Sequence, residues 1–412
     1  MPKAQHIVES SIIALLFFSL FVSKSGIYIG LSLLLIYQMY TLYKNKLHLH
    51  EEKQNLSTIT IVSVGLFGLG ILINLPFSGE FNDLGDYFRK CALLLLFPLL
   101  IISLKRNNNL QVVYTAVIIS LIAALCYSLF QFSSIGLVEW KGQRIPSFWD
   151  IGRWGEILGY CLAILVPFIL ECKLQPKEKA ALSILLLASI FCLLLSGGRA
   201  PLVAITMTIG VYLCIRKPKL AVACIFLTSG LLLFGQNISS IATITNRLIS
   251  IINLSGDYSN IARLTMWEYG LKFTLHNLQH EPFSFLFGTG ITNMESSYVS
   301  FLHSTTDVTA LSMRTNNNFS MTDMHNTFLD LLVRLGAVYV IGFITLLGLF
   351  FKFFFQQRHL FPEYAYPGMC LIATFSITGM FYTSGLEFQF TVFLAFVALL
   401  YAQIIKDSTS NE

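Results

Sequence analysis

Apolar runs of roughly twenty residues follow one another along this chain, near 8–23, 26–43, 58–77, 88–104, 110–132, 155–172, 180–197, 200–215, 220–236, 330–351, 364–384 and 388–405. A helix needs about 20 apolar residues to cross the hydrocarbon of a bilayer. Of the 412 residues, 55% are hydrophobic and only 12% charged, and mean hydropathy is +0.69. A single water-soluble core stops growing well before this length, so the bilayer is the solvent. The pattern predicts an all-α polytopic membrane protein with about twelve transmembrane helices. The first run has features of a secretory signal, since Lys3 precedes it and small residues follow; its removal would leave the orientation of later segments unchanged.

Basic residues set that orientation. With the N-terminus in the cytoplasm, the inner turns carry Lys44, Lys46 and Lys53, then Lys105 and Arg106, then Lys173, Lys177 and Lys179. Arg216, Lys217 and Lys219 follow, then Lys352 and Arg358, then Lys406 in the tail. Both termini are predicted cytoplasmic. The net charge of +5 is this topology signal and not a nucleic-acid patch, because no long basic run exists. Residues 1–236 are read as nine transmembrane helices, 237–324 as a large outer loop, and 325–412 as three more helices and a cytoplasmic tail. A second outer loop covers about 133–153. All eight cysteines fall in or beside apolar segments, with no CxxC and no Cys-His cluster of zinc spacing. They are expected to be small buried hydrophobes. No internal repeat or low-complexity linker divides the chain.

Within the large loop, IARLTMWEYGLKFTLHNLQ (261–279) spaces Ile261, Leu264, Trp267, Leu271 and Leu275 by three or four. This predicts an amphipathic helix on the membrane surface, with Arg263, Glu268 and Lys272 turned to polar surroundings. EPFSFLFGTG then breaks the helix at Pro282 and turns at Gly288 and Gly290. The Ser/Thr/Asn-rich stretch after it, to about 320, reads as loop with freedom to move.

The charged residues at the outer face are the candidates for chemistry. In LLLSGGRAPLVAI (193–205), Gly197-Gly198 and Pro201 mark the end of one helix and the start of another, with Arg199 at the corner. A charge at the bilayer centre costs about 2.5–3.5 kcal/mol on insertion scales. Arg199 reads either as a snorkelling, topology-setting arginine or as an anion site, since a guanidinium binds phosphate oxygens through a planar fork. Arg263 touches headgroups or solvent, or joins Arg199 in a clamp for a diphosphate. In MTDMHNTFLDLLVRLGAVYVIG (321–342), His325 is either a polar helix-start residue or the proton acceptor its chemistry suits. Asp330 and Arg334 have the i,i+4 spacing of an ion pair. Arg89 and Lys90 begin the fourth segment as interfacial anchors or as extra charge for a phosphate. Arg144 and Arg153, flanking Trp149, are candidates to meet an acceptor's phosphates or headgroups. Glu387, between the last two segments, is a candidate to orient His325. His303, Arg314 and Asp323 in the loop rank below these as candidates.

Three ordered blocks, LLLSGGRAPLVA, ARLTMWEYGLKFTLHNLQHEPFSFLFGTGITN and MHNTFLDLLVRLGAVYVIG, resemble the O-antigen ligase family of lipopolysaccharide biosynthesis. That family shares its core pattern with O-antigen polymerases and membrane O-oligosaccharyltransferases. The resemblance covers roughly residues 140–345, and the N-terminal third only by hydropathy; the Arg-x-x-x-Trp helix leading to Pro and Gly-x-Gly is its most specific part. It implies a multi-membrane-span (GT-C-like) glycosyltransferase at the periplasmic face of the bacterial inner membrane, with no cofactor, metal or nucleotide sugar. The implied donor is a glycan on undecaprenyl diphosphate, and the implied acceptor a sugar hydroxyl of lipid A–core. Arg199, Arg263 and His325 match the motif positions for diphosphate binding and the reacting centre. The physics is coherent: guanidinium groups stabilise charge developing on the diphosphate, and a histidine takes the acceptor's proton, an effect of about 10²–10⁴-fold. A single displacement inverts the anomeric carbon. An O-antigen polymerase, with a second lipid-linked glycan as acceptor, is the alternative. A lipid-linked glycan transporter or flippase is a further one, although paired repeats and interrupted helices, common in transporters, are not visible in the sequence.

Overall fold

The computed structural model describes residues 3–44, 58–75, 82–106, 109–136, 139–234 and 257–410. Among them every regular element is helical. Nine helices come first: α1 (Lys3–Val22), α2 (Lys24–Lys44), α3 (Thr58–Asn74), α4 (Asn82–Lys105), α5 (Asn109–Ile135), α6 (Ile151–Glu171), α7 (Pro176–Ser196), α8 (Arg199–Arg216) and α9 (Pro218–Phe234). Four follow in the region read as the large loop: α10 (Tyr258–His280), α11 (Pro282–Phe287), α12 (Asn293–Thr305) and α13 (Val308–Arg314). The last three are α14 (Thr327–Gln357), α15 (Pro362–Gly379) and α16 (Phe388–Ser410). Each of the apolar runs coincides with one of α1–α9 or α14–α16. By length and composition, 7 of these are able to cross a membrane: α4 to α8, α14 and α16. Parts of α1, α3 and α9 are apolar but shorter. Residues 237–256 of the outer loop, and Lys46 and Lys53, lie outside the described residues.

Burial follows the logic of a chain dissolved in lipid. On α16 every residue from Thr391 to Ala402 is buried, as expected of a helix apolar on all sides and placed at the centre of a bundle. At the periphery, Ile184 and Leu187 of α7, Met207 and Ile215 of α8, and Phe226 of α9 are exposed.

Three features depart from the sequence pattern. First, the stretch after Gly290 is not an open loop: α12 and α13 fold onto α10. Met294, Tyr298, Phe301 and Leu302 pack with Phe273, Leu311, Met324, Leu329 and Val333 in a separate small core. Their spacing of four, three and one is helical, but Ser, Thr and Asn between them hide it. Second, α10 has two apolar sides. Ala262, Met266, Gly270 and Phe273 face inward, whereas Leu264, Leu271, Leu275 and Leu278 are exposed beside Glu268 and Lys272. Trp267 turns toward the cap, where its indole N–H donates to the His325 carbonyl at 3.3 Å.

Third, α14 is interrupted. Gly336 has φ 79° and ψ 173° inside the helix, a conformation essentially reserved for glycine. The break frees carbonyls at the end of the short N-terminal half. Thr289 N–H takes that of Val333 at 3.1 Å and Gly290 N–H that of Arg334 at 3.0 Å. The GTG turn therefore closes the backbone hydrogen bonding that the interruption opens, as buried polar groups require.

Candidate functional site

Two polar cavities lie where the starts of α6, α8, α10 and α14 meet. The smaller, about 230 Å³, is lined by Arg144, Gly197, Arg199, Ser259, Arg263 and Tyr382. Local sequence explains its shape. Gly197 ends α7 in the left-handed region at φ 60°, so the chain reverses and α8 starts on Arg199. The Arg199 guanidinium reaches Asp257 Oδ2 at 2.5 Å. Asp257 is the N-cap of α10, accepting from the N–H groups of Ser259 and Asn260 at 2.9 and 3.3 Å. One carboxylate thus ties the start of α8 to the start of α10 and sets Arg199 beside Arg263. Arg144 joins them from the first outer loop, donating to the Gly197 carbonyl at 2.9 Å.

Among the described residues, the cavity's lining contains three arginines and no carboxylate, and Asp257 behind it pairs with Arg199. Burial, and then repulsion from Arg199 and Arg144, outweigh Tyr382 and Asp257 and lower the pKa of Arg263. The buried Arg263 Nε has no acceptor among the described residues. For Asp257, burial alone would raise the pKa, but the hydrogen bond and charge of Arg199 outweigh it and hold the carboxyl below its ordinary value. A dianion with oxygens at two positions is the ligand chemistry such a cavity fits.

The larger cavity, about 470 Å³, contains His325. This residue sits at φ 45° just before Asn326, the N-cap of α14, which accepts from the N–H groups of Phe328 and Leu329. Asp323 Oδ1 accepts both the His325 backbone N–H, at 2.9 Å, and the imidazole Nδ1. Burial would raise the Asp323 pKa, but the hydrogen bonds and charge of His325 prevail and lower it. An ionised carboxylate only accepts, so in this contact Nδ1–H is the donor. The opposite wall is an ionic lattice. Glu387 binds Lys90 at 3.2 Å and Arg153 at 2.8 Å, and Arg153 also binds Asp150, the N-cap of α6. Arg334 binds Asp330 at 2.9 Å and donates to the carbonyls of Ile291 and Thr322. Glu156, only 2% exposed, has no cation at hydrogen-bond distance among the described residues; it accepts from Ser384 Oγ at 2.6 Å and Gln389 Nε2 at 3.0 Å.

Most residues singled out by sequence converge here. Arg199 and Arg263 share one cavity, and His325 lines the adjoining one with Lys90, Arg153 and Glu387. Arg144 lies with the arginines and not with Arg153. Arg89 stays apart: it pairs with Asp86 at 2.6 Å, about half exposed, and lines neither cavity. The carboxylate at the imidazole is Asp323, whereas Glu387 holds cations from α4 and α6. His303 and Arg314 are exposed and line neither cavity. Sequence reasoning missed the roles of Asp323, Glu156 and Tyr382. The Asp-x-His spacing was a usable signal for the first, while the other two sit in or beside apolar runs that give none. Among the described residues, no three His, Cys, Asp or Glu side chains gather as metal ligands.

A family model described as O-antigen ligase matches residues 184–347. That span contains Arg199, Asp257, Arg263, Asp323, His325 and Gly336; Arg144, Arg153, Tyr382 and Glu387 lie outside it. No curated protein matches the chain.

Proposed function

From the match of residues 184–347 to a family model described as O-antigen ligase, we propose that this protein transfers a glycan from undecaprenyl diphosphate to a sugar hydroxyl of lipid A–core. The reaction takes place at the periplasmic face of the inner membrane, with both termini in the cytoplasm. The donor diphosphate occupies the cavity of Arg144, Arg199 and Arg263. The acceptor hydroxyl enters the neighbouring cavity beside His325.

In the reaction, the acceptor oxygen forms a bond to the anomeric carbon as that carbon's bond to the phosphate oxygen breaks. The bonding pair leaves with undecaprenyl diphosphate, and the hydroxyl proton goes to His325 Nε2. Asp323 holds the ring in the tautomer that accepts this proton and stabilises the imidazolium that results. The arginines stabilise the charge gained by the leaving group at a site partly screened from water, where fixed cations act most strongly. No metal takes part in this scheme. Attack opposite the leaving group inverts the anomeric centre.

The observation that carries this reading is the adjacency of the two cavities, one lined by three arginines, the other presenting an imidazole paired with Asp323. Reconstitution tests it: purified protein receives glycan-bearing undecaprenyl diphosphate together with both lipid A–core and a second lipid-linked glycan. Glycan on the core supports the ligase. Growth of the lipid-linked glycan alone points instead to the polymerase. The interruption of α14 at Gly336 favours a transport reading, but a transporter in detergent micelles joins no glycan to either acceptor.

A further inference from the structure

Among the described residues, Tyr382 alone is common to both cavity linings. Its placement is fixed through backbone and not through a long side chain. The Tyr382 carbonyl accepts from the Thr327 hydroxyl at 2.7 Å, and the Ser384 N–H donates to that Thr327 Oγ1 at 2.8 Å. Asn326 Nδ2 donates to the Met380 carbonyl at 3.1 Å, and the Phe381 ring lies 5.9 Å from that of Trp267. The turn bearing Tyr382 is thereby registered to the residues next to His325. On the other side, the Arg263 guanidinium lies 5.9 Å from the tyrosine ring centroid, and Arg144 lines the same small cavity. Burial, followed by Glu156, raises the phenol's pKa against the opposing arginines, so the hydroxyl is neutral at physiological pH.

The location decides what this ring touches. In a transfer of the kind proposed above, the breaking bond joins the first sugar to a phosphate oxygen. With the phosphates among the arginines and the attacking oxygen at His325, the anomeric carbon lies at the boundary between the cavities. Resting on that reading, we propose that Tyr382 contacts the first sugar of the donor, its aromatic face forming the wall on which that sugar packs. It is then a specificity residue, one that distinguishes a glycan-bearing diphosphate from the bare lipid diphosphate released as product. An amphipathic ring suits this role, because it offers apolar area to sugar C–H groups while its hydroxyl can meet a polar partner.

Binding of two probes to the full-length protein in detergent tests this: undecaprenyl diphosphate itself, and the same lipid with one sugar on its terminal phosphate. Tyr382→Ala is expected to weaken the sugar-bearing probe about tenfold and to leave the bare diphosphate within about twofold. Tyr382→Phe and Tyr382→Trp, which keep a flat ring, should retain the sugar-bearing probe within about threefold. Arg263→Gln should weaken both probes. If Tyr382→Ala does not fold, Tyr382→Leu, apolar but not flat, carries the same expectation. Equal weakening of both probes, or of neither, overturns the role of Tyr382 and leaves the arginine site standing. Wild-type protein that binds neither probe overturns both.

Discussion

Gly288 and Gly336 pass each other backbone to backbone. A Cβ placed on Gly336 would lie 2.3 Å from the Leu286 carbonyl oxygen, and one on Gly288 would lie 2.2 Å from that of Arg334. Both residues have φ 79°. This crossing fixes the short first half of α14, which begins beside His325 and carries Asp330 and Arg334, against the turn that follows α11.

Gly336→Ala is therefore expected to destabilise the protein by about 2 kcal/mol or more, combining left-handed strain with a backbone clash. Thermal unfolding in detergent measures it. A variant with wild-type Tm would show that the crossing relaxes at little cost.

Asp323→Asn should retain donor binding while the transfer rate falls about 10²–10⁴-fold, because the amide removes the charge that stabilises the imidazolium and frees the ring's tautomer. His325→Ala should show the same division, with binding intact and transfer lost. Single-turnover rates with bound donor decide it; wild-type rates in either variant would remove the base from the mechanism.

Arg199→Lys is expected to lower donor affinity about tenfold, since an ammonium cannot hold Asp257 and a phosphate with one planar fork. Direct binding of undecaprenyl diphosphate is the measurement. Unchanged affinity would mean that charge alone suffices at this corner.

The pH dependence of donor binding follows from Asp257, whose carboxyl is held below the ordinary 3.8 by Arg199 in spite of burial. A depressed folded value means that the contact is fully present above 3.8 and is lost only as pH falls through that lower value. Donor affinity should thus be flat between about pH 8 and pH 5. A decline centred within that range would show that another group governs the arginine site.

Adjacent residues on α4 should behave differently. Arg89→Ala is expected to change stability by no more than about 0.5 kcal/mol and to leave transfer near normal, as its partner Asp86 is equally exposed. Lys90→Ala removes one of the two cations on Glu387 and should slow transfer. Equal effects of the two substitutions would contradict the geometry of the cavity.

How much of the fold and site is legible in the sequence depends on the range of the interaction. Periodicity places the helices of the apolar runs, and residue chemistry selects Arg199, Arg263 and His325, because a charge beside an apolar run is conspicuous locally. The same local view assigns Glu387 to the imidazole and ranks Asp323 below it. It does not show the second, inward-facing side of α10, and it takes polar residues between Met294 and Leu302 for an open loop. The break at Gly336 is also hidden, because Leu-Gly-Ala inside an apolar run is compatible with an unbroken helix.

What the sequence determined by itself is the solvent and the material: long apolar runs point to a bilayer, and a few arginines and one histidine beside those runs stand out as candidates for polar chemistry. What only tertiary structure decided is which of those groups meet. Arg144, Arg199 and Arg263 come from three separate stretches and share a cavity because Asp257 caps one helix while binding the first residue of another. The tyrosine between that cavity and His325 is positioned by hydrogen bonds through Thr327, far away in the chain. Such meetings depend on packing and long-range hydrogen bonds, and neither leaves a periodic trace in a linear sequence.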